Sequence, residues 1–154
     1  MALRDVILEH DPDLLTGYNI SFDNNFIKTR LAKYGLALQN LGRPKHSLSC
    51  FTTKVINTAA LGNNELILWN IPGRIVLDLF LYSKSNFPTL PNHKLQTCGE
   101  VYIGTGKDDI VFGTILKAFA DESAVDLRGE VAKYCLQVST ITIHIACSQM
   151  DCNA

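Results

Sequence analysis

Apolar and polar positions divide the chain into short, alternating segments. Among residues 1–10, Leu3, Val6, Ile7 and Leu8 stand between charged neighbours, which predicts the tail of a helix. Asp11-Pro12-Asp13 combines a fixed φ with short polar side chains and predicts a turn. Leu14 to Tyr18 is an apolar run of strand length. Beyond it, Asn19, Asp23 and Asn24 offer helix-capping side chains, and Phe26, Ile27, Arg30 and Leu31 fall at helical spacing. A strand that runs into a capped helix puts Asp23 at the carboxyl edge of a sheet, where open α/β folds collect their ligands. Tyr34-Gly35 predicts the helix stop, because glycine takes the left-handed cap conformation cheaply.

Further along, residues 40–50 form a polar, weakly basic connector. Its Arg43, Lys45 and His46 are candidates for phosphate contact, weighed against a plain solvated loop. Residues 51–57 and 65–70 are strand-like around Gly62-Asn63-Asn64, which predicts a hairpin with its turn there. Trp69 reads as packing. Arg74 to Leu81 is apolar except for Asp78 and predicts a strand buried on both faces. Asp78 itself reads as a helix cap or an arginine partner. Residues 83–93 predict a loop, and Leu95, Cys98, Val101 and Tyr102 mark one helical stripe. Gly104 to Asp109 lacks the preceding strand and the hydroxyl residue of a phosphate-binding loop. Two more helices follow, at residues 114–120 and 126–137, separated by Asp121-Glu122-Ser123. Thr140 to Ile145 then alternates with period two and predicts a strand.

Composition narrows the class. The chain has 154 residues, 47% of them hydrophobic and 19% charged, enough apolar material for a packed core. A net charge of −1 argues against a strong non-specific duplex-DNA binder, which would show a basic excess. Cys50, Cys98, Cys135, Cys147 and Cys152 are odd in number and follow no zinc spacing, which predicts free thiols in a reducing compartment. His144, Cys147 and Cys152 are too poorly spaced to make a metal cluster. No apolar run reaches membrane-spanning length and the start carries no signal peptide, so the expectation is an intracellular, soluble chain that is not secreted.

One stretch is more specific. Asp11 to Asp23 resembles the second exonuclease motif of family B DNA polymerases, in which Asp-Pro-Asp-x-x-Thr-Gly-Tyr-Asn precedes a Phe-Asp pair. The family has three residues between Asn and Phe, whereas only Ile20 and Ser21 separate Asn19 from Phe22 here, which predicts a shifted Asp23. Gly73, Arg74, Asp78 and Leu79 resemble the family's Gly-Arg-x-x-x-Asp-Leu segment, and Lys94 to Ile103 resembles the helix that follows. Tyr134-Cys135 resembles the start of the third motif, Tyr-Cys-x-x-Asp, but its final acid is replaced by Val138. The first motif, an Asp-x-Glu, is not found in the sequence. The resemblance runs from Arg4 to about Gln137. It implies a partial 3′–5′ exonuclease domain over residues 1–137 and a divergent tail over 138–154.

The resemblance implies an α/β fold, an incomplete ribonuclease H-like exonuclease domain with a mixed sheet, flanking helices and an inserted β-hairpin. Without its first three strands, the strand at Leu14 has an open edge, which predicts a marginal monomer or a homo-oligomer. The family's proofreading chemistry uses Mg²⁺ or Mn²⁺ ions held by four carboxylates. By resemblance, Asp23 is a metal ligand and catalytic, Tyr134 positions the attacking water, and Asn19 and Phe22 bind nucleic acid. The partners implied are the single-stranded 3′ end of DNA and the rest of a replicative polymerase, in nucleus, cytoplasm or viral replication site. A lone carboxylate does not hold two ions, so the expectation for the isolated chain is neither tight metal binding nor exonuclease activity. The alternatives are a non-catalytic module that binds nucleic acid or protein, and a nuclease completed by a partner chain.

Overall fold

The computed structural model describes residues 3–38, 40–58, 62–106 and 110–151. The chain divides into two compact units, one up to Thr89 and one from Leu90 onward. The first unit is a mixed α/β assembly. In order it holds α1 (Leu3–His10), β1 (Leu14–Gly17), α2 (Ile20–Lys33), β2 (Cys50–Thr58), β3 (Gly62–Asn70), β4 (Ile75–Asp78) and α3 (Leu79–Asn86). β1 and β4 pair in parallel, with Leu14 opposite Ile75 and Gly17 opposite Asp78, and β2 and β3 form a separate antiparallel hairpin. Ile7, Leu41 and Ile71 make the buried core, flanked by Leu15, Trp69 and Val76. Trp69 packs here as the sequence predicts, and its ring stacks on Phe51, its cross-strand partner, at 5.5 Å.

Three of the sequence expectations are corrected in this unit. Gly62, Asn63 and Asn64 are not the hairpin turn; they belong to β3 and pair with Thr58, Asn57 and Ile56, so the connection falls at residues 59–61, outside the described residues. Pairing along the full ladder outweighs the turn preference of the two asparagines. The apolar run from Arg74 to Leu81 is not one buried strand. It is the four-residue β4 followed at once by α3, and Ile75 is 66% exposed. The loop predicted from residue 83 begins only after Asn86. At the end of α2, the helix stop is a Schellman closure: Gly35, at φ 62°, donates to the Ala32 carbonyl and Leu36 donates to that of Leu31.

The break inside the Arg74–Leu81 run has one cause, the Asp78 carboxylate. It caps α3 by accepting from the Phe80 N–H at 3.0 Å, and the same oxygen accepts from the Asn19 N–H at 2.9 Å, where α2 begins. Asp78 is 7% exposed. Burial pushes its pKa above the ordinary 3.8, while hydrogen bonds from Asn19, Phe80, Ile20 and Leu81 N–H groups pull the other way. One buried side chain thus begins two helices at the carboxyl edge of the parallel pair.

The second unit is helical: α4 (Leu95–Ile103), α5 (Phe112–Ala120) and α6 (Val125–Asp151). The predicted strand at Thr140–Ile145 is instead the continuation of α6. Ile141 and Ile145, four residues apart, are buried at 3% and 0% exposure, whereas Ile143 is 55% exposed. Burying a helical i, i+4 pair overrides the local alternation of β-branched residues. The Thr142 hydroxyl donates back to the Val138 carbonyl at 2.8 Å, which satisfies it inside the helix. α4 approaches closely because Gly99 has no side chain; a Cβ there would sit 2.5 Å from the Thr105 carbonyl oxygen and 3.3 Å from Ile141. Arg128 of α6 donates to the carbonyls of Asp121 and Glu122 at 2.9 and 2.7 Å, closing the chain just beyond α5. Asp121 accepts from the Ser123 N–H at 2.8 Å, so the predicted Asp121–Ser123 separator is a side-chain-closed turn.

Asp78→Ala is expected to lower the unfolding free energy by about 2 kcal/mol, because two helix starts lose their acceptor at once. Asp78→Asn keeps an acceptor and is expected to lose less. The raised pKa gives the contrast a pH signature. A carboxyl whose folded pKa is raised contributes fully below 3.8 and loses that contribution as pH climbs through the folded value. Urea unfolding of both proteins across pH should therefore find the wild-type advantage over Asp78→Asn shrinking as pH rises.

Candidate functional site

The site is built on the turn that feeds β1. Asp11 holds a left-handed φ of 41°, tolerable for a short polar side chain. Two arginines clamp it there. Arg74 reaches the Asp11 carboxylate at 2.7 Å and the Pro12 carbonyl at 2.6 Å, while its own side chain is only 2% exposed. Arg43 reaches the same carboxylate at 3.0 Å, the Asp11 carbonyl at 2.9 Å, and the Asp13 carboxylate. Their hydrogen bonds hold the Asp11 carboxyl below its ordinary 3.8. Arg43 is therefore committed to the turn, which removes it from the phosphate-contact candidates; Lys45 and His46 remain solvated on the connector.

With its start fixed, β1 is locked beside β4 by the Ile75 N–H, which donates to the Asp13 carbonyl at 2.8 Å, and by the Thr16 hydroxyl, which donates to the Leu77 carbonyl at 3.0 Å. The chain then turns sharply. A Cβ on Gly17 would sit 2.5 Å from the Ile20 methyl. Asn19 turns through φ 59°, and its side chain makes no capping bond; its N–H goes to Asp78 instead. The capping role predicted for the Asn19 side chain is thus filled by Asp78 from another strand.

Ser21, which sequence reasoning passed over, and Asn24 hold α2 in place. The Ser21 hydroxyl accepts from the Ile67 N–H at 2.9 Å, and the Asn24 amide donates to the Ile67 carbonyl at 2.9 Å. Asn24 is 3% exposed, so the helix cap predicted for it is instead a bridge to the hairpin. The signal was present: two short polar side chains, three residues apart, on the face that also carries Ile20 and Ile27.

Asp23 lies one helical turn into α2, not at the end of the strand. It borders an apolar cavity of about 400 Å³ whose walls include Ile7, Leu15, Ile27, Trp69 and Val76. Partial burial there raises its pKa above the ordinary 3.8. Asn19 and Phe22 instead face a second, more polar recess of about 410 Å³ with Ser21, Asn25 and Glu65. Asn19 and Phe22 are thus brought together, and Asp23 opens onto a different wall. Tyr134 is half-buried in α6, in the second unit, with Val138 one helical turn further on. His144 and Cys147 lie on α6 as well, while Cys152 lies outside the described residues.

Among the described residues, no three His, Cys, Asp or Glu side chains converge on one point. A hard divalent ion needs several oxygen ligands at once, and Asp23, beside apolar walls, supplies one carboxylate. The described residues do not fit a two-metal centre on their own.

A family model described as DNA polymerase family B, exonuclease domain, matches residues 1–98. The chain is similar to the DNA polymerase delta catalytic subunit of Plasmodium falciparum, 29% identical over 146 residues, covering 94% of the chain and 13% of that protein. It is also similar to the delta catalytic subunit of Schizosaccharomyces pombe, 30% identical over 139 residues, covering 88% of the chain and 12% of that protein. The DNA polymerase catalytic subunit of murid herpesvirus 1 is 31% identical over 135 residues, covering 83% of the chain and 12% of its own length. The chain spans about an eighth of the length of these relatives. Among the described residues, no helix is long and apolar enough to cross a membrane.

The Asp11 clamp has a measurable pH signature opposite to that of Asp78. A carboxylate whose folded pKa is depressed contributes its full stability above 3.8 and loses it as pH falls through the folded value. The stability gap between wild type and Asp11→Asn is expected to be widest at neutral pH and to close below pH 3.8, measured by thermal unfolding at fixed ionic strength.

Proposed function

The chain belongs to the exonuclease domain of family B DNA polymerases, and on that footing we propose that it receives the unpaired 3′ end of a DNA strand for proofreading during replication. The observation that carries this reading is the fixed helix start of α2. Asp78, Ser21 and Asn24 hold it rigidly, so Asn19 and the 73% exposed ring of Phe22 stand together at one recess, ready to hold and stack a terminal nucleotide. By resemblance Asp23 would be one carboxylate of the family's Mg²⁺ or Mn²⁺ site, and Tyr134 is the counterpart of its water-positioning group. Hydrolysis needs further acids, which do not converge among the described residues, and Val138 stands where the third motif has its acid. Taken alone, the chain therefore binds an end without cutting it; inside the cell its partner is the rest of a polymerase.

Among the described residues, β1 and β4 pair only with each other. The outer edge of β1 is accordingly a surface for the remainder of the polymerase or, in the isolated chain, for a second copy. Light scattering should then give a mass above 17.0 kDa, and a stable monomer would count against this.

Calorimetry with Mn²⁺ on wild type and Asp23→Ala, together with fluorescence anisotropy on a 3′-ended single strand, tests the main reading. The expectation is no tight Mn²⁺ binding by either protein, and single-strand binding that Phe22→Ala weakens about tenfold. Metal binding lost in Asp23→Ala would mean a complete ion site and would reopen catalysis by this chain. No affinity for single strands would sink the proposal.

A further inference from the structure

Phe22 of the proposed end site is the first residue of a longer ridge on α2, whose other residues that site does not use. Phe22, Phe26, Arg30 and Tyr34 follow one another at intervals of four, so they run along one side of the helix, away from the buried stripe of Ile20 and Asn24. Phe22, Phe26 and Tyr34 are 73%, 61% and 58% exposed. The Arg30 guanidinium lies between the last two rings, 5.9 Å from the Phe26 centroid and 5.5 Å from that of Tyr34. No ion pair among the described residues holds it. A cation ordered between two exposed rings, without a carboxylate, is a preformed stack with an unneutralised charge.

We propose that this ridge is a track for single-stranded nucleic acid, carrying the nucleotides that precede the terminal one bound at Phe22. Three observations select that occupant. Its π-faces and guanidinium plane are the surfaces on which unpaired bases stack without regard to sequence. On the ridge side the helix carries Arg30 and Lys33, cations that complement a phosphate backbone in a chain whose net charge is −1, whereas Lys28 lies on the opposite side. From Phe22 to Tyr34 the ridge extends about 18 Å at 1.5 Å per residue, long enough for several nucleotides in continuity with the end site. The inference rests on the end-binding reading for its starting point, but Phe26, Arg30 and Tyr34 are separate from that site.

The test compares a labelled thymidine trinucleotide with a dodecanucleotide by fluorescence anisotropy, using the full chain without added metal. The dodecanucleotide is expected to bind more tightly. Phe26→Ala should weaken it about tenfold and leave the trinucleotide unchanged, while Phe26→Tyr, which keeps a ring, restores the affinity. Arg30→Gln should lower the slope of log affinity against log salt by about 0.7, the loss of one phosphate contact on a single strand. Both side chains are exposed, so circular dichroism should be unaltered. If Phe22→Ala weakens both oligonucleotides but Phe26→Ala and Arg30→Gln bind the longer one like wild type, the track is overturned while the end site stands, and the ridge is a protein-docking face. If the ridge variants lose the longer oligonucleotide and Phe22→Ala loses neither, the track stands and the end site falls. Failure of the wild type to bind either oligonucleotide overturns both.

Discussion

The buried carboxylate of Asp78 is the constraint on which the first unit depends. Removing an acid from water is unfavourable unless hydrogen bonds replace the lost solvation, and here they come from the free N–H groups of two helix starts. The arrangement is reciprocal. Without Asp78, α2 and α3 would each begin with an unmet donor near the core; without both helices, the acid would be buried and under-satisfied. A single residue at the end of β4 therefore couples β1, β4, α2 and α3 at one edge, and the residues proposed to meet DNA leave from that edge.

A second fastening works from the opposite end of β1. Arg74, almost wholly buried, and Arg43, half-exposed, converge on a turn whose Asp11 holds an uncommon backbone angle. Exposed ion pairs contribute little on average, but these arginines also bond to carbonyls of Asp11, Pro12, Leu41 and Gly73. They organise three separate stretches of backbone around one carboxylate. β1 is thus held at both ends by charged side chains although it is only four residues long and, among the described residues, has one strand neighbour.

This rigidity bears on function. The helix start at Asn19 to Asp23 is fixed by contacts from β4 and from the hairpin, so the exposed Phe22 ring is presented by a scaffold and not by a loop. The same scaffold turns Asp23 toward apolar walls, away from any cluster of acids among the described residues. In the proposed division of labour Asn19 and Phe22, which share one recess, hold a strand end, while among the described residues no three acids converge to cut it. A proofreading domain separates those tasks naturally, because holding a frayed end uses stacking and backbone contacts while cutting it uses bound ions.

What the sequence determined by itself was local chemistry. The Asp11–Asp13 turn, the strand at Leu14, the Gly35 helix stop, the capping character of Asp78 and the family kinship of Asp11 to Asp23 are all set by residue types at short spacing. Each can be read because its physical cause lies within a few residues. The long-range outcomes were not legible. Thr140 to Ile145 alternates like a strand, yet Ile141 and Ile145 are buried together by a helix, a choice made by packing within the second unit. Asn63 and Asn64 favour a turn, yet cross-strand pairing with β2 extends the ladder through them. Asn24 looks like a cap, yet it bridges to Ile67, a partner far away in sequence. Arg43 looks free for phosphate, yet it meets Asp11 and Asp13. In every such case a local preference worth a fraction of a kcal/mol to about one met a tertiary interaction worth more. The tertiary structure decided, and it decided where the candidate site residues point as well as how the chain folds.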